Sequence, residues 1–297
     1  MTAVGRMSPR AALALSVVYV VWGTTYYGMR VALKAYPAFF LCSIRFLLAG
    51  GLLFAYALAT GAVRINGRLL LDALVTGFLL VLLGNGLVVV AEQHVSSGIA
   101  ALVVSVESVF ILLLAFFFYG RRSSAWQLAG VVLCFSGVVV LAVGTELRYS
   151  PLALAALLGA ALGWAVGSVW SAQHAHSGST LTFVALQMLL GGAIALLVAW
   201  LSDERLALSG AVNANLAVLY LALFGSIATF VSYNYLLRRV SPSLSTSYAY
   251  VNPAIAFVVG CVLDNDVFRF STAVSLLGIL AGVWLIVQQE ARSPGGG

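Results

Sequence analysis

The chain has 297 residues, 62% hydrophobic and 8% charged, with a formal net charge of +6. A soluble domain carries about 25% charged residues. This composition therefore excludes a water-exposed globular protein and leaves no room for a catalytic or nucleic-acid-binding module.

A membrane span needs roughly 20 mostly apolar residues. Ten such stretches are predicted in chain order, at 11–33, 38–60, 69–90, 98–119, 125–143, 151–173, 182–201, 214–237, 243–264 and 271–289. The first is longer than a signal-peptide core and more spans follow it, so no cleavable signal is expected. Cationic residues concentrate in cytoplasmic loops. With the N-terminus inside, the inner side holds Arg6, Arg10, Arg64, Arg68, Arg121, Arg122, Arg238, Arg239 and Arg292. The outer side holds Lys34, Arg148, Arg205 and Arg269, while Arg30 and Arg45 fall within spans near outer ends. This bias predicts cytoplasmic termini and explains the basic excess without nucleic acid. Cys42, Cys134 and Cys261 are widely separated within spans and are expected to be small buried apolar residues. His174 and His176 lie in a short joint with no further ligand nearby, so neither metal nor cofactor is expected.

Ten spans divide into five and five, about 11–145 and 151–289, and the halves overlay by residue type. Trp22 matches Trp164, and Arg45 matches Gln187. Each of the second pair is followed by a glycine pair, Gly50-Gly51 and Gly191-Gly192. At a slightly larger offset Val95-Ser96 matches Val240-Ser241, Ser108 falls opposite Pro253, and Arg121 opposite Asp266. An odd number of spans per half makes the second half enter the membrane from the opposite side. The expected fold class is an all-α membrane protein of ten transmembrane helices in two inverted five-helix repeats. Such repeats carry their binding site near the midplane.

The ordered motifs resemble the drug/metabolite transporter superfamily, in its ten-helix EamA-type branch. They are Trp22-Gly23-Thr24, Arg45, the run Ser96-Ser97-Gly98-Ile99-Ala100-Ala101, Tyr235 to Pro242, Tyr250-Val251-Asn252-Pro253, and Gly260. Where the family often has proline and then an acidic residue, at span 4, this chain has Ser108 and Arg121. The resemblance implies export of small metabolites, with neutral or aromatic amino acids the leading class. A proton-coupled drug or organic-cation exporter is the alternative. The implied partners are a small-molecule substrate and the lipid bilayer; oligomeric state is left open.

The candidate binding residues are Trp22, Asn85, Glu107, Trp164, Tyr248, Tyr250 and Asn252. Ser245, Tyr248 and Asn252 share one helical face of the ninth span, and Thr246, Tyr250 and Pro253 the neighbouring one. Pro253 frees the carbonyl of Ala249 at mid-span. The stripe suits either a zwitterion or hydrogen bonding between helices. Glu107 is the acidic residue near the middle of a span, and such groups face the bundle interior. It is read either as a substrate or proton site, or as the ion-pair partner of Arg45. Arg45 has a third option, reaching the outer interface. Asn85 lies between Gly84 and Gly86, which suits close packing or a ligand. Ser226, Thr229 and Tyr233 form a polar stripe, read as an inner gate or, for Tyr233, as an interfacial anchor. Trp126, Trp170, Trp200 and Trp284 fall near span ends, as an aromatic belt requires. Trp22 and Trp164 lie near mid-span, where they suit an aromatic wall or core filling. Gly159, Gly163 and Gly167, and Gly278 and Gly282, predict close helix packing.

Overall fold

The computed structural model describes residues 8–119, 124–144, 150–173, 179–205, 207–240, 242–264 and 269–292. His174, His176, Arg121 and Asp266 lie outside them, as does the side chain of Tyr250. The described residues form ten helical segments and no strand. They are α1 (Pro9–Leu33), α2 (Ala38–Ala59), α3 (Gly67–Glu92), α4 (97–119), α5 (Ala125–Gly144), α6 (Pro151–Gln173), α7 (Thr180–Leu201), α8 (Val212–Arg239), α9 (242–263) and α10 (Phe270–Arg292). Seven are long and apolar enough to cross a membrane by length and composition; α5, α9 and α10 contribute shorter apolar helices.

Local chemistry sets the helix starts. The Ser8 hydroxyl accepts from the Ala11 amide at 3.2 Å ahead of Pro9, and the Asn66 side chain accepts from Leu69 at 2.8 Å. Both satisfy donors that a helix leaves open. Pro37 before α2 offers no such group. The carboxylate of Glu204, just past α7, accepts from the amides of Phe39 and Phe40 at 3.1 and 2.7 Å instead. A negative group is favourable at that helix end.

Packing pairs the two halves. α2 lies along α7, and α5 along α10. α1 packs on α8 and α9, just as α6 packs on α3 and α4. Exchanging the halves maps this set of neighbours onto itself. Between α5 and α10 the contact is backbone to backbone: a Cβ on Gly282 would lie 2.5 Å from the carbonyl oxygen of Gly130. The Gly159, Gly163 and Gly167 stripe of α6 packs against α3, facing Leu87, Leu83 and Leu80. Both glycine stripes are thus contacts within the chain.

Four spans depart from the continuous helices expected. In α3 residues Gly77–Gly86 form a π-helix, and in α8 Leu223–Ala228 do so. Wider turns of this kind displace backbone carbonyls from the regular ladder. α4 is broken at Ser105-Val106 into α4a (Ser97–Val104) and α4b (Glu107–Tyr119). α9 is broken at Thr246-Ser247 into α9a (Pro242–Ser245) and α9b (Tyr248–Leu263). Each break carries a serine that bonds back three residues. Ser105 donates to Leu102 O at 2.7 Å, and Ser247 to Leu244 O at 2.6 Å. Such bonds compete with the main-chain ladder. The helix runs on through Pro253, so α9 breaks upstream of the proline.

Candidate functional site

The breaks put the first residues of α4b and α9b, Glu107 and Tyr248, on one mid-chain cavity. It is lined by Trp22, Thr25, Tyr26, Met29, Gly84, Asn85, Val88, Val104, Glu107, Trp164, Tyr248 and Asn252. Six of the seven residues expected from sequence meet here; Tyr250 is the exception, its side chain being outside the described residues. Thr25, Tyr26 and Met29 were not anticipated. They follow Trp22 at i+3, i+4 and i+7, so the helical periodicity of α1 carried the signal.

One wall is aromatic. Trp22 meets Trp164, Tyr233 and Tyr248 with ring centroids 5.2, 5.1 and 5.0 Å apart. The Trp22–Trp164 and Trp22–Tyr248 pairs are edge-to-face, which suits the ring quadrupoles. Phe230 closes the cluster at 5.9 Å from Trp22 and 5.8 Å from Trp164. Trp164 Nε1 donates to the Tyr248 hydroxyl at 2.8 Å, and Tyr233 donates to Ser168 Oγ at 2.8 Å. Gly84 leaves the space that the Trp164 ring fills: a Cβ there would lie 2.7 Å from Trp164 Cε3. Tyr233 is fully buried in this wall, so it is not an interfacial anchor.

The other wall is polar. Glu107 is buried and shares a hydrogen bond with Tyr248, while its Oε1 has no partner among the described residues. Asn252 is buried with its Oδ1 equally unpartnered. Asn85 Nδ2 donates across the π-helix to Leu80 O at 2.8 Å.

Arg45 does not pair with Glu107. Its Nε donates to Ser226 Oγ and its Nη2 to Gly225 O, both at 2.8 Å, and Nη1 reaches Asn85 Oδ1 at 3.4 Å. The Gly225 carbonyl and the Ser226 hydroxyl, both in the π-helix of α8, supply what a carboxylate was expected to supply. The residue is 2% exposed, which also overturns the reading that it reaches the interface. Two further buried acids went unnoticed in the sequence, Asp72 and Glu92, because each sits near a span end. Asp72 accepts from Arg68 Nε at 3.0 Å and from Trp170 Nε1 at 3.0 Å, which ties α3 to the end of α6.

Two sets of bonds tie the helices around the cavity together. On the Leu33 side, Arg30 Nε binds Asp264 at 2.5 Å and its Nη1 donates to Glu92 O and Val95 O, fastening α1, α3 and α9 together. On the opposite side, the Tyr19 and Ser247 hydroxyls bond at 2.6 Å. The cavity volume is about 50 Å³. That is room for a water or two, against roughly 300–1,000 Å³ for ordinary ligand pockets. A larger cleft of about 700 Å³ opens between α1, α8 and α9 beside Lys34, but its wall is mostly apolar and lacks convergent buried acceptors.

The EamA-like transporter family profile matches this chain twice, over residues 9–143 and 151–288. The chain belongs to the EamA-like transporter family. It is a membrane transporter, with a small-molecule substrate and the lipid bilayer as its partners. The uncharacterized inner membrane transporter YedA of Escherichia coli (strain K12) is 37% identical over 260 residues, covering 85% of this chain and 82% of YedA. A probable terminal-alkyne amino-acid exporter of Streptantibioticus cattleyicolor is 30% identical over 299 residues, covering 96% and 98%. A crystal structure with a TM-score of 0.69 and 22% identity covers 95% of this chain and 98% of its own, and shares the fold. The EamA fold has ten membrane helices, so the shorter apolar helices α5, α9 and α10 count as spans.

Proposed function

We propose that this EamA-family protein exports neutral and aromatic amino acids across the cytoplasmic membrane by alternating access. The observation that carries the reading is the mid-chain cavity. It joins an aromatic wall to buried polar groups, and both matched halves of the chain contribute to its lining. Trp22 and Trp164 suit an apolar or aromatic side chain. Glu107 and Asn252 suit charged substrate ends, and the two half-helix starts favour a carboxylate nearby. The amino-acid exporter named among the relatives supports the same class.

The repeats are read as inverted, with both termini cytoplasmic. In this reading the Arg30–Asp264 pair lies on the outer side, where it holds α1 to α9. Rocking of one half against the other enlarges the cavity and exposes it to each side in turn. The unpartnered oxygen of Glu107 favours one second reading, a proton-coupled exporter of organic cations.

Proteoliposomes loaded with radiolabelled phenylalanine, leucine or an organic cation test both. Efflux of the amino acids supports the first reading. Efflux of the cation alone, driven by a pH gradient, replaces it with the second.

A further inference from the structure

Two buried acceptors on one small cavity lack a donor. Glu107 and Asn252 both line the cavity, both are buried, and neither Glu107 Oε1 nor Asn252 Oδ1 has a hydrogen-bond partner among the described residues. A buried polar group without a partner costs free energy, and each such group in a native structure calls for an explanation. Several donors nearby are already committed. Trp164 Nε1 donates to Tyr248, Asn85 Nδ2 to Leu80 O, and Arg45 to Ser226 and Gly225. What the two acceptors lack is a donor, and a carboxylate beside an amide oxygen suits a positively charged group with several N–H bonds. The space of about 50 Å³ admits a group of ammonium size. Trp22, which also lines the cavity, presents the ring system best suited to attract such a cation.

We propose that Glu107 and Asn252 form an ammonium subsite that takes the amino end of the substrate and requires its N–H donors. This rests on the amino-acid reading above and adds a selectivity to it. A primary ammonium offers one hydrogen to the Glu107 carboxylate and one to the Asn252 carbonyl, with its charge beside Trp22. A quaternary ammonium keeps the charge but has no N–H, so both acceptors stay unpartnered. The site therefore discriminates against N-methylation as well as against loss of charge.

Binding to the purified protein, followed by tryptophan fluorescence, tests this with four probes. They are phenylalanine, phenylethylamine, N,N,N-trimethylphenylalanine and phenylacetate. Phenylalanine and phenylethylamine are expected to bind, with the trimethyl compound weaker by about tenfold or more, the worth of a charged hydrogen bond, and phenylacetate not at all. Glu107→Gln is expected to abolish the discrimination between phenylalanine and the trimethyl compound. The probe series needs only the wild-type chain, so a misfolded variant does not spoil the test. Equal binding of the trimethyl compound overturns the proposal. So does a Glu107→Gln variant that keeps the selectivity, or a response to sodium ion with none to any amine. Binding of phenylethylamine without phenylalanine leaves the subsite standing and removes the amino-acid reading. Efflux of phenylalanine by Glu107→Gln at the wild-type rate does the reverse.

Discussion

Arg45 Nη2 donates to the backbone carbonyl of Gly225 at 2.8 Å, tying the second helix to the π-helical turn of the eighth. Its Nε bonds Ser226 in the same turn. The buried cation is thus held by a backbone carbonyl and a hydroxyl, not by a carboxylate. The same carbonyl also accepts from Thr229 Oγ1 at 2.7 Å, so side-chain donors from two helices converge on one oxygen of the π-turn.

Arg45→Gln is expected to lower stability by about 2–5 kcal/mol, because several buried acceptors lose their donor together. Arg45→Lys costs less but does not restore the wild type, since a single ammonium lacks the planar fork. The double change with Glu107→Gln should show little coupling, below about 0.5 kcal/mol, as expected of residues that share no direct contact. Thermal unfolding in detergent, run as a double-mutant cycle, measures it. Rescue of Arg45→Gln by Glu107→Gln would restore the ion-pair reading.

Trp164 is packed against Trp22, Tyr233 and Phe230 and donates to Tyr248. Trp164→Ala is therefore expected to cost about 3–5 kcal/mol in stability, which makes it a poor probe of transport. Trp164→Phe keeps most of the wall and removes the donor. It should reduce efflux of aromatic substrates several-fold more than that of small ones. Asn252→Ala should reduce efflux of all amino acids alike, because each presents the same backbone groups. Uniform wild-type efflux from both variants across a substrate panel places the substrate elsewhere.

Much of this site was legible because periodicity and rarity both point inward. A carboxyl at mid-span and two tryptophans at matching offsets stand out against apolar sequence. Thr25, Tyr26 and Met29 share a helical face with Trp22, yet their residue types are ordinary in a span. The π-helices and the breaks were not legible. No proline or glycine sits at Ser105-Val106 or at Thr246-Ser247; a serine bonding back along the chain marks each instead. Pro253 drew attention to the wrong residues of α9. The partner of Arg45 was missed for the same reason, since a backbone carbonyl has no letter in a sequence.

Gly282 and Gly51 give opposite expectations for the same change. At Gly282 a Cβ meets the Gly130 carbonyl oxygen at 2.5 Å and the Cys134 amide at 2.9 Å, and backbone cannot step aside. Gly282→Ala should destabilise by about 1–3 kcal/mol through overpacking. At Gly51 nothing lies within 4 Å. There alanine should be neutral or stabilising by up to about 1 kcal/mol, from helix propensity alone. Melting temperatures of the two variants in one detergent decide it. Equal melting temperatures would mean that α5 and α10 are not in backbone contact.

The charge asymmetry of the joints and the Arg30–Asp264 pair make one combined prediction about sidedness. Ser202 and Thr60 are both exposed at helix ends, on opposite sides under the proposed topology. A single cysteine at Ser202 should react with an impermeant thiol reagent added to intact cells. One at Thr60 should react only after the membrane is opened. If that holds, Arg30 and Asp264 fasten the outer side. Side chains exposed to 33% and 14% make a pair of modest strength, on the order of 0.2–1 kcal/mol. Asp264→Asn should therefore leave the fold intact and shift the balance toward outward opening. A cysteine placed at Val104 on the cavity wall reads that shift as faster labelling from outside. Restoring opposite charges by the swap Arg30→Asp with Asp264→Arg should slow the labelling again. Labelling at Val104 that ignores all three changes would show that the pair does not control the outer opening, while reversed labelling at Ser202 and Thr60 would invert the topology itself.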